Sequence, residues 1–251
     1  MIETTTLHRP IGPSGNACPS ICEHHFDNPT DHAQALASAI AEQLRHALAQ
    51  KGQATLGVSG GRSPIQLFEA LRQTALDWSR VRISLCDERC VAEDHPDSNA
   101  RLVREHLLKE AAAAAQFVSW LPGLSDISTL TPQALVSHAR QQLSTFPLPL
   151  DVLVLGMGDD GHTASWFAQS AGLAQAVQST DWVTWVRPAH APHLRLTLTL
   201  SAVLACPNLH LSLAGAPKQR TYAQAKLTER LDLPVSLVLH RAKHIDVWIA
   251  D

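Results

Sequence analysis

Short, nearly continuous apolar runs recur along the chain at Ala54–Val58, Val81–Cys86, Val152–Leu155, Leu209–Leu213 and Ile245–Ile249, with helix-forming stretches between them. A strand that is apolar at successive positions, rather than at alternate ones, is buried on both faces, which calls for a parallel sheet covered by helices. The expected architecture is therefore α/β and Rossmann-like, a mostly parallel sheet with helices on both faces. Further strands are expected at Phe117–Leu121, Trp182–Val186 and Leu194–Leu200.

The intervening helices carry start and stop signals. Leu36, Ile40, Leu44 and Leu48 recur every four residues behind Asp31, a candidate cap, and ahead of Gly52, a candidate stop. Pro64 opens a second helix, and Asp97-Ser98-Asn99 caps a third over Leu102–Leu108. A fourth is expected over Pro132–Leu143 and another from about Thr163. Residues 1–23 mix Thr, Pro, Gly, Ser and two Cys without periodicity, so they are expected to form a tail. Residues 24–251 are expected to form a single α/β domain, a length that one core can sustain.

Composition excludes several classes of partner. With 20 basic against 23 acidic residues and a net charge of -3, the chain has no overall positive field to hold nucleic acid. The N-terminus lacks a signal-peptide pattern and no run reaches the ~18 apolar residues of a membrane span, so no membrane association is expected. Five cysteines, an odd number, fit a reducing cytoplasm better than a disulfide framework. Cys18-x-x-x-Cys22 with His24 and His25, and Cys86-x-x-x-Cys90, have poor spacing for common zinc sites, so no metal is expected.

In parallel sheets ligands bind beyond the C-terminal strand ends, which directs attention to the loops after Val58, Cys86, Leu155 and Leu213. Ser59-Gly60-Gly61-Arg62-Ser63 joins a strand to a helix start and reads as a phosphate cradle, with a plain tight turn as the competing reading. Asp87-Glu88-Arg89 follows a buried strand, where Arg89 is placed to grip an anion or to close an internal ion pair. Lys218 sits in the first turn of a helix, an unfavourable place for a cation without an anion beside it, and so reads as a second phosphate ligand or as a solvent-facing lysine.

The sharpest loop is Leu155-Gly156-Met157-Gly158-Asp159-Asp160-Gly161-His162-Thr163. Histidine suits proton transfer near neutral pH, and a carboxylate two residues away can orient its ring, so Asp160 and His162 form a candidate base pair. A structural histidine is the alternative. The loop also fits G-x-G-x-x-G, but Asp159 and Asp160 lie where a pyrophosphate would approach and would repel it. Arg195 heads an alternating strand and is expected to reach either the site or an ion pair.

These motifs, Ser59 to Pro64, Asp87-Glu88-Arg89, Leu155 to Ser165, Arg195 to Thr199 and Gly215-x-x-Lys218, resemble those of 6-phosphogluconolactonases in content and order. The resemblance covers residues 26–251. Ser63 stands where that family often has threonine, and Trp166-Phe167-Ala168 replaces the more usual Leu-Phe-Pro. It implies a hydrolase of the pentose phosphate pathway that opens 6-phospho-D-glucono-1,5-lactone without a cofactor. The phosphate would rest on Ser59, Gly60, Gly61, Arg62, Ser63 and Lys218, and His162, Asp160 and Arg89 would serve catalysis. Asp87, Glu88, Gly158 and Arg195 are expected as further substrate contacts. The partner is a small sugar-phosphate lactone and the protein a monomer or homodimer. The alternatives are an amino-sugar phosphate isomerase or deaminase and a non-catalytic sugar-phosphate sensor.

Overall fold

The computed structural model describes residues 3–7, 20–124 and 126–251. The strands are β1 Glu3–Leu7, β2 Ser20–Phe26, β3 Ala54–Val58, β4 Val81–Leu85, β5 Asp87–Arg89, β6 Gln116–Phe117, β7 Val152–Gly156, β8 Val183–Val186, β9 Arg195–Leu198, β10 Asn208–Ala214 and β11 His244–Ala250. The helices are α1 Pro29–Lys51, α2 Ile65–Leu71, α3 Asn99–His106, α4 Pro132–Gln142, α5 Leu173–Gln178, α6 Leu200–Leu204, α7 Ala216–Ala225 and α8 Val235–Arg241. No helix among the described residues is long and apolar enough to cross a membrane.

The main sheet has the order β1-β2-β11-β10-β7-β3-β4-β6, parallel throughout except for β1. Every residue of β3 and the first four of β7 are buried, so helices cover both faces at its centre, as the apolar runs require. α1 buries Leu36, Ile40, Leu44 and Leu48 against the sheet. Its cap is Asn28, whose side chain accepts from the Asp31 backbone N–H at 2.9 Å; Asp31 lies within the first turn, where its carboxylate accepts from the Asn28 amide.

Four further expectations are corrected. Part of the segment expected as a tail joins the sheet: β2 starts at Ser20 and pairs with β11, and β1 pairs with β2. The polar residues that conceal β2 in the sequence are partnered within the fold. Glu23 accepts from Tyr222 Oη at 2.6 Å and Lys226 Nζ at 2.5 Å. Residues 8–19, including Cys18, lie outside the described residues.

No helix begins near Thr163. The segment after His162 is tied down by its own side chains: Thr163 Oγ1 donates to Gly156 O at 2.8 Å, Ser165 Oγ to Asp87 Oδ2 at 2.6 Å, and Trp166 Nε1 to Leu198 O at 2.8 Å. Such bonds compete with helical ones, and the next helix, α5, waits until Leu173. Finally, β8 and β9 leave the parallel sheet and join β5 in a small antiparallel sheet of order β5-β9-β8. The strand expected over Phe117–Leu121 shrinks to β6.

The cap gives a direct test of α1. Asn28→Ala is expected to lower the urea-unfolding free energy by about 1 kcal/mol, the usual value of an N-cap bond.

Candidate active site

The C-terminal ends of β3, β4, β7 and β10 converge on one pocket of about 360 Å³, within the roughly 300–1,000 Å³ typical of small-molecule sites. Ser59, Gly60, Gly61 and Ser63 line it from the β3 loop, Asp87 and Arg89 from β5, Gly158 and His162 from the β7 loop, Arg195 from β9 and Lys218 from α7. Two loops, two strands of the small sheet and the start of α7 thus meet beyond the strand ends. Arg62, Glu88 and Asp160 do not line the pocket.

Each departure has a physical reason. Arg62 is exposed and does not line the pocket it was expected to help form. Glu88 is 2% exposed, and its carboxylate accepts from the backbone N–H groups of Arg89, Asn99 and Ala100 at 2.6, 2.8 and 2.8 Å. Burial pushes its carboxyl up to about 7, against the opposing pull of those three donors. Glu88 therefore fastens the start of α3, where Ser98 also caps the helix. The Ser59 hydroxyl is likewise committed: it donates to Val154 O at 2.8 Å and accepts from Gly156 N at 3.0 Å, locking the β3 loop to the end of β7. Its hydroxyl is therefore engaged within the protein. At the far wall Lys218 Nζ donates to Ser63 Oγ at 3.3 Å, which brings the two expected phosphate contacts side by side.

His162 and Asp160 form the expected pair. His162 Nδ1 and Asp160 Oδ1 are 2.6 Å apart, and the His162 backbone N–H donates to the same oxygen at 3.2 Å. The bond to His162 outweighs partial burial and holds the Asp160 carboxyl below its usual range. An ionised Asp160 accepts the Nδ1 proton, which leaves the Nε2 lone pair as the ring's acceptor. Phe167 stacks on the imidazole with ring centres 4.1 Å apart and fixes its tilt. Gly158 is required beneath the pair, because a Cβ there would fall 2.2 Å from His162 Nδ1 and 2.5 Å from Asp160 Oδ1.

Arg89 and Arg195 are direct cross-strand partners in β5 and β9. Like charges placed opposite one another destabilise a sheet pair unless something of the other sign lies between them. Each guanidinium is half held: Arg89 donates to Asp97 O at 2.6 Å and Arg195 to Pro192 O at 3.2 Å, while the Nε of each is buried without a protein partner. Arg195 is 7% exposed, and burial, reinforced by Arg89, pulls its pKa below the ordinary value. Two adjacent cations thus each keep an unspent donor.

Sequence reasoning missed Asn99 and Phe167. Asn99, read first as part of a helix cap with any ligand contact secondary, is 1% exposed, donates to Asp87 O at 2.8 Å and leaves Oδ1 without a partner at the pocket wall. A Cβ on Gly60 would meet that oxygen at 1.8 Å, so the Gly60-Gly61 pair was the available signal that a side chain passes beneath the loop.

The model of the family described as glucosamine-6-phosphate isomerases/6-phosphogluconolactonase matches residues 27–248. The chain belongs to this glucosamine-6-phosphate isomerase/6-phosphogluconolactonase family. A 6-phosphogluconolactonase from Neisseria meningitidis is 43% identical over 234 residues, covering 91% of this chain and 98% of its own length. The crystal structure of a putative 6-phosphogluconolactonase from Neisseria gonorrhoeae superposes with a TM-score of 0.87 at 40% identity, covering 91% of this chain and 99% of the other. A 6-phosphogluconolactonase structure from Shewanella baltica gives 0.85 at 42% identity, with coverages of 91% and 97%. The family's parallel α/β fold is therefore the fold of this chain, and its pocket lies at the sheet's C-terminal edge.

The clearance at Gly158 is testable. Gly158→Ala is expected to leave the circular dichroism spectrum and thermal midpoint close to wild type while displacing the His162 ring, seen as a moved imidazole in a crystal structure and as a loss of about 10²-fold in turnover.

Proposed function

We propose that this family member hydrolyses 6-phospho-D-glucono-1,5-lactone to 6-phosphogluconate, a carboxylic ester hydrolysis. The observation that carries the reading is the His162–Asp160 pair facing a pocket that also holds Lys218 and two half-satisfied arginines. A proton acceptor and several cations in one cavity suit an uncharged ester carried by a phosphorylated sugar. The domain that would do so is a single unit whose main sheet begins at β1.

In the proposed reaction His162 Nε2 takes a proton from a water as that water's oxygen attacks the C1 carbonyl. The negative charge that develops on the carbonyl oxygen is met by donors fixed in advance, for which the buried Nε–H groups of Arg89 and Arg195 are available. Collapse of the tetrahedral intermediate breaks the bond to the ring oxygen, and the imidazolium returns its proton to that oxygen. Asp160 keeps Nδ1 protonated throughout and steadies the transient imidazolium. Lys218, Ser63 and the backbone of Ser59 to Gly61 would hold the phosphate, so that binding energy remote from the ester fixes its orientation, an effect worth several kcal/mol. The carboxylate of Asp87, already bonded to Ser165, borders the sugar rather than the reacting carbon in this reading.

The isomerase or deaminase alternative is disfavoured by the relatives, because those sharing 40–46% identity with the chain carry the lactonase name.

Acid release from freshly generated 6-phosphogluconolactone, corrected for spontaneous hydrolysis, tests the proposal. Wild type is expected well above background, with His162→Ala lower by about 10² or more. Asp160→Asn is expected to fall between the two, since it keeps a group beside Nδ1 but favours the wrong tautomer. Wild-type activity at background would sink the function, whereas a fully active His162→Ala would keep the function and discard the base.

A further inference from the structure

Away from the pocket, the parallel pairing of β2 with β11 sets three metal-binding side chains on one face of the sheet. Cys22 and His24, two residues apart, point the same way, and Asp246 is the direct register partner of Cys22. The sulfur, imidazole nitrogen and carboxylate oxygen of these residues all lie within 4.8 Å of one another. None of the three lines the catalytic pocket.

The surroundings hold the donors in place. The His24 ring stacks on Trp248 with centres 4.1 Å apart and an interplanar angle of 17°, which aims Nε2 at Asp246 Oδ1, 2.9 Å away. The other Asp246 oxygen meets His244 Nε2 at 3.3 Å, and His244 Nδ1 is in turn 3.2 Å from Ser20 Oγ. Outer contacts of this kind orient the ligands of metal sites. His210, beside Asp246, is spoken for: its Nδ1 accepts from Trp248 Nε1 at 3.0 Å and its Nε2 donates to Gln43 Oε1 at 2.7 Å. The side chains of His24 and Asp246 remain 15% and 16% exposed, which leaves an entry path from solvent.

We propose that Cys22, His24 and Asp246 bind a zinc-class divalent cation, with the fourth tetrahedral position on the solvent side. One thiolate, one imidazole and one carboxylate are the donors that zinc takes in proteins. Binding releases the thiol proton to solvent and ties β2 to β11, so the ion acts on the sheet and not on the reaction. The spacing within Cys18-x-x-x-Cys22 and the adjacent His24-His25 conceals this set, because the ligands are gathered across strands. His25 belongs to the other face, where its Nε2 lies 3.3 Å from Glu23.

Cobalt reports the site directly. Metal-free full-length protein titrated with Co²⁺ is expected to develop a thiolate-to-cobalt charge-transfer band that saturates at one equivalent and is displaced by Zn²⁺. The band should vanish in Cys22→Ala, persist in Cys18→Ala and need at least about tenfold more cobalt in His24→Gln. The second His/Asp group among the described residues, His95, Asp97 and His193, contains no sulfur and cannot give this band. Zn²⁺ is expected to raise the thermal midpoint of wild type and not of Cys22→Ala. Wild-type turnover in Cys22→Ala confirms that this variant is folded, and if it does not fold the His24→Gln titration decides. No band in the wild type, a band that survives in folded Cys22→Ala, or unchanged cobalt affinity in His24→Gln overturns the proposal.

Discussion

Burial of β3 and β7 on both faces is the constraint from which the rest follows. A strand that touches helices above and below has no room for polar side chains along its length, so the chain's chemistry is displaced to the strand ends. The displaced groups must then be held at those ends by something other than the ladder. Ser59 does this by bonding both Val154 O and Gly156 N, so that the two loops entering the pocket behave as one wall. Asp87 does it from the neighbouring strand through Ser165 and Asn99, joining the base-bearing segment to the small sheet.

That small sheet is the least expected part of the fold and the most important for electrostatics. Its pairing of β5 with β9 brings Arg89 and Arg195 face to face, and the surrounding protein satisfies each guanidinium only in part. Nearby carboxylates do not neutralise the pair outright. Glu88 is consumed by three backbone donors and Asp87 by hydroxyl and amide groups. The surplus positive potential is local, which is why it coexists with a net charge of -3 for the whole chain.

Where the sequence was legible, one local signal sufficed. The runs of β3 and β7 are apolar enough to declare double-sided burial, and Asp160 with His162 sit close enough in sequence that their pairing needs no knowledge of the fold. The illegible parts depend on partners remote in sequence. β2 reads as polar because Glu23 and His24 find Tyr222, Lys226 and Asp246 some two hundred residues away. The stretch after His162 has helix-like composition, yet Thr163, Ser165 and Trp166 spend their hydrogen bonds on other strands. Glu88 and Asp87 are neighbours in sequence, yet only Asp87 lines the pocket, because successive side chains of a strand point to opposite faces.

Phe167 touches two functional groups at once, stacking on His162 and lying 5.9 Å from the Arg195 guanidinium. A proton acceptor and a cation that share one aromatic ring lose independent degrees of freedom: whatever rotates the ring reorients both. The tilt of the imidazole and the reach of the guanidinium are therefore a single inherited variable, and a lineage that reshaped the pocket through this position would have to move the two together.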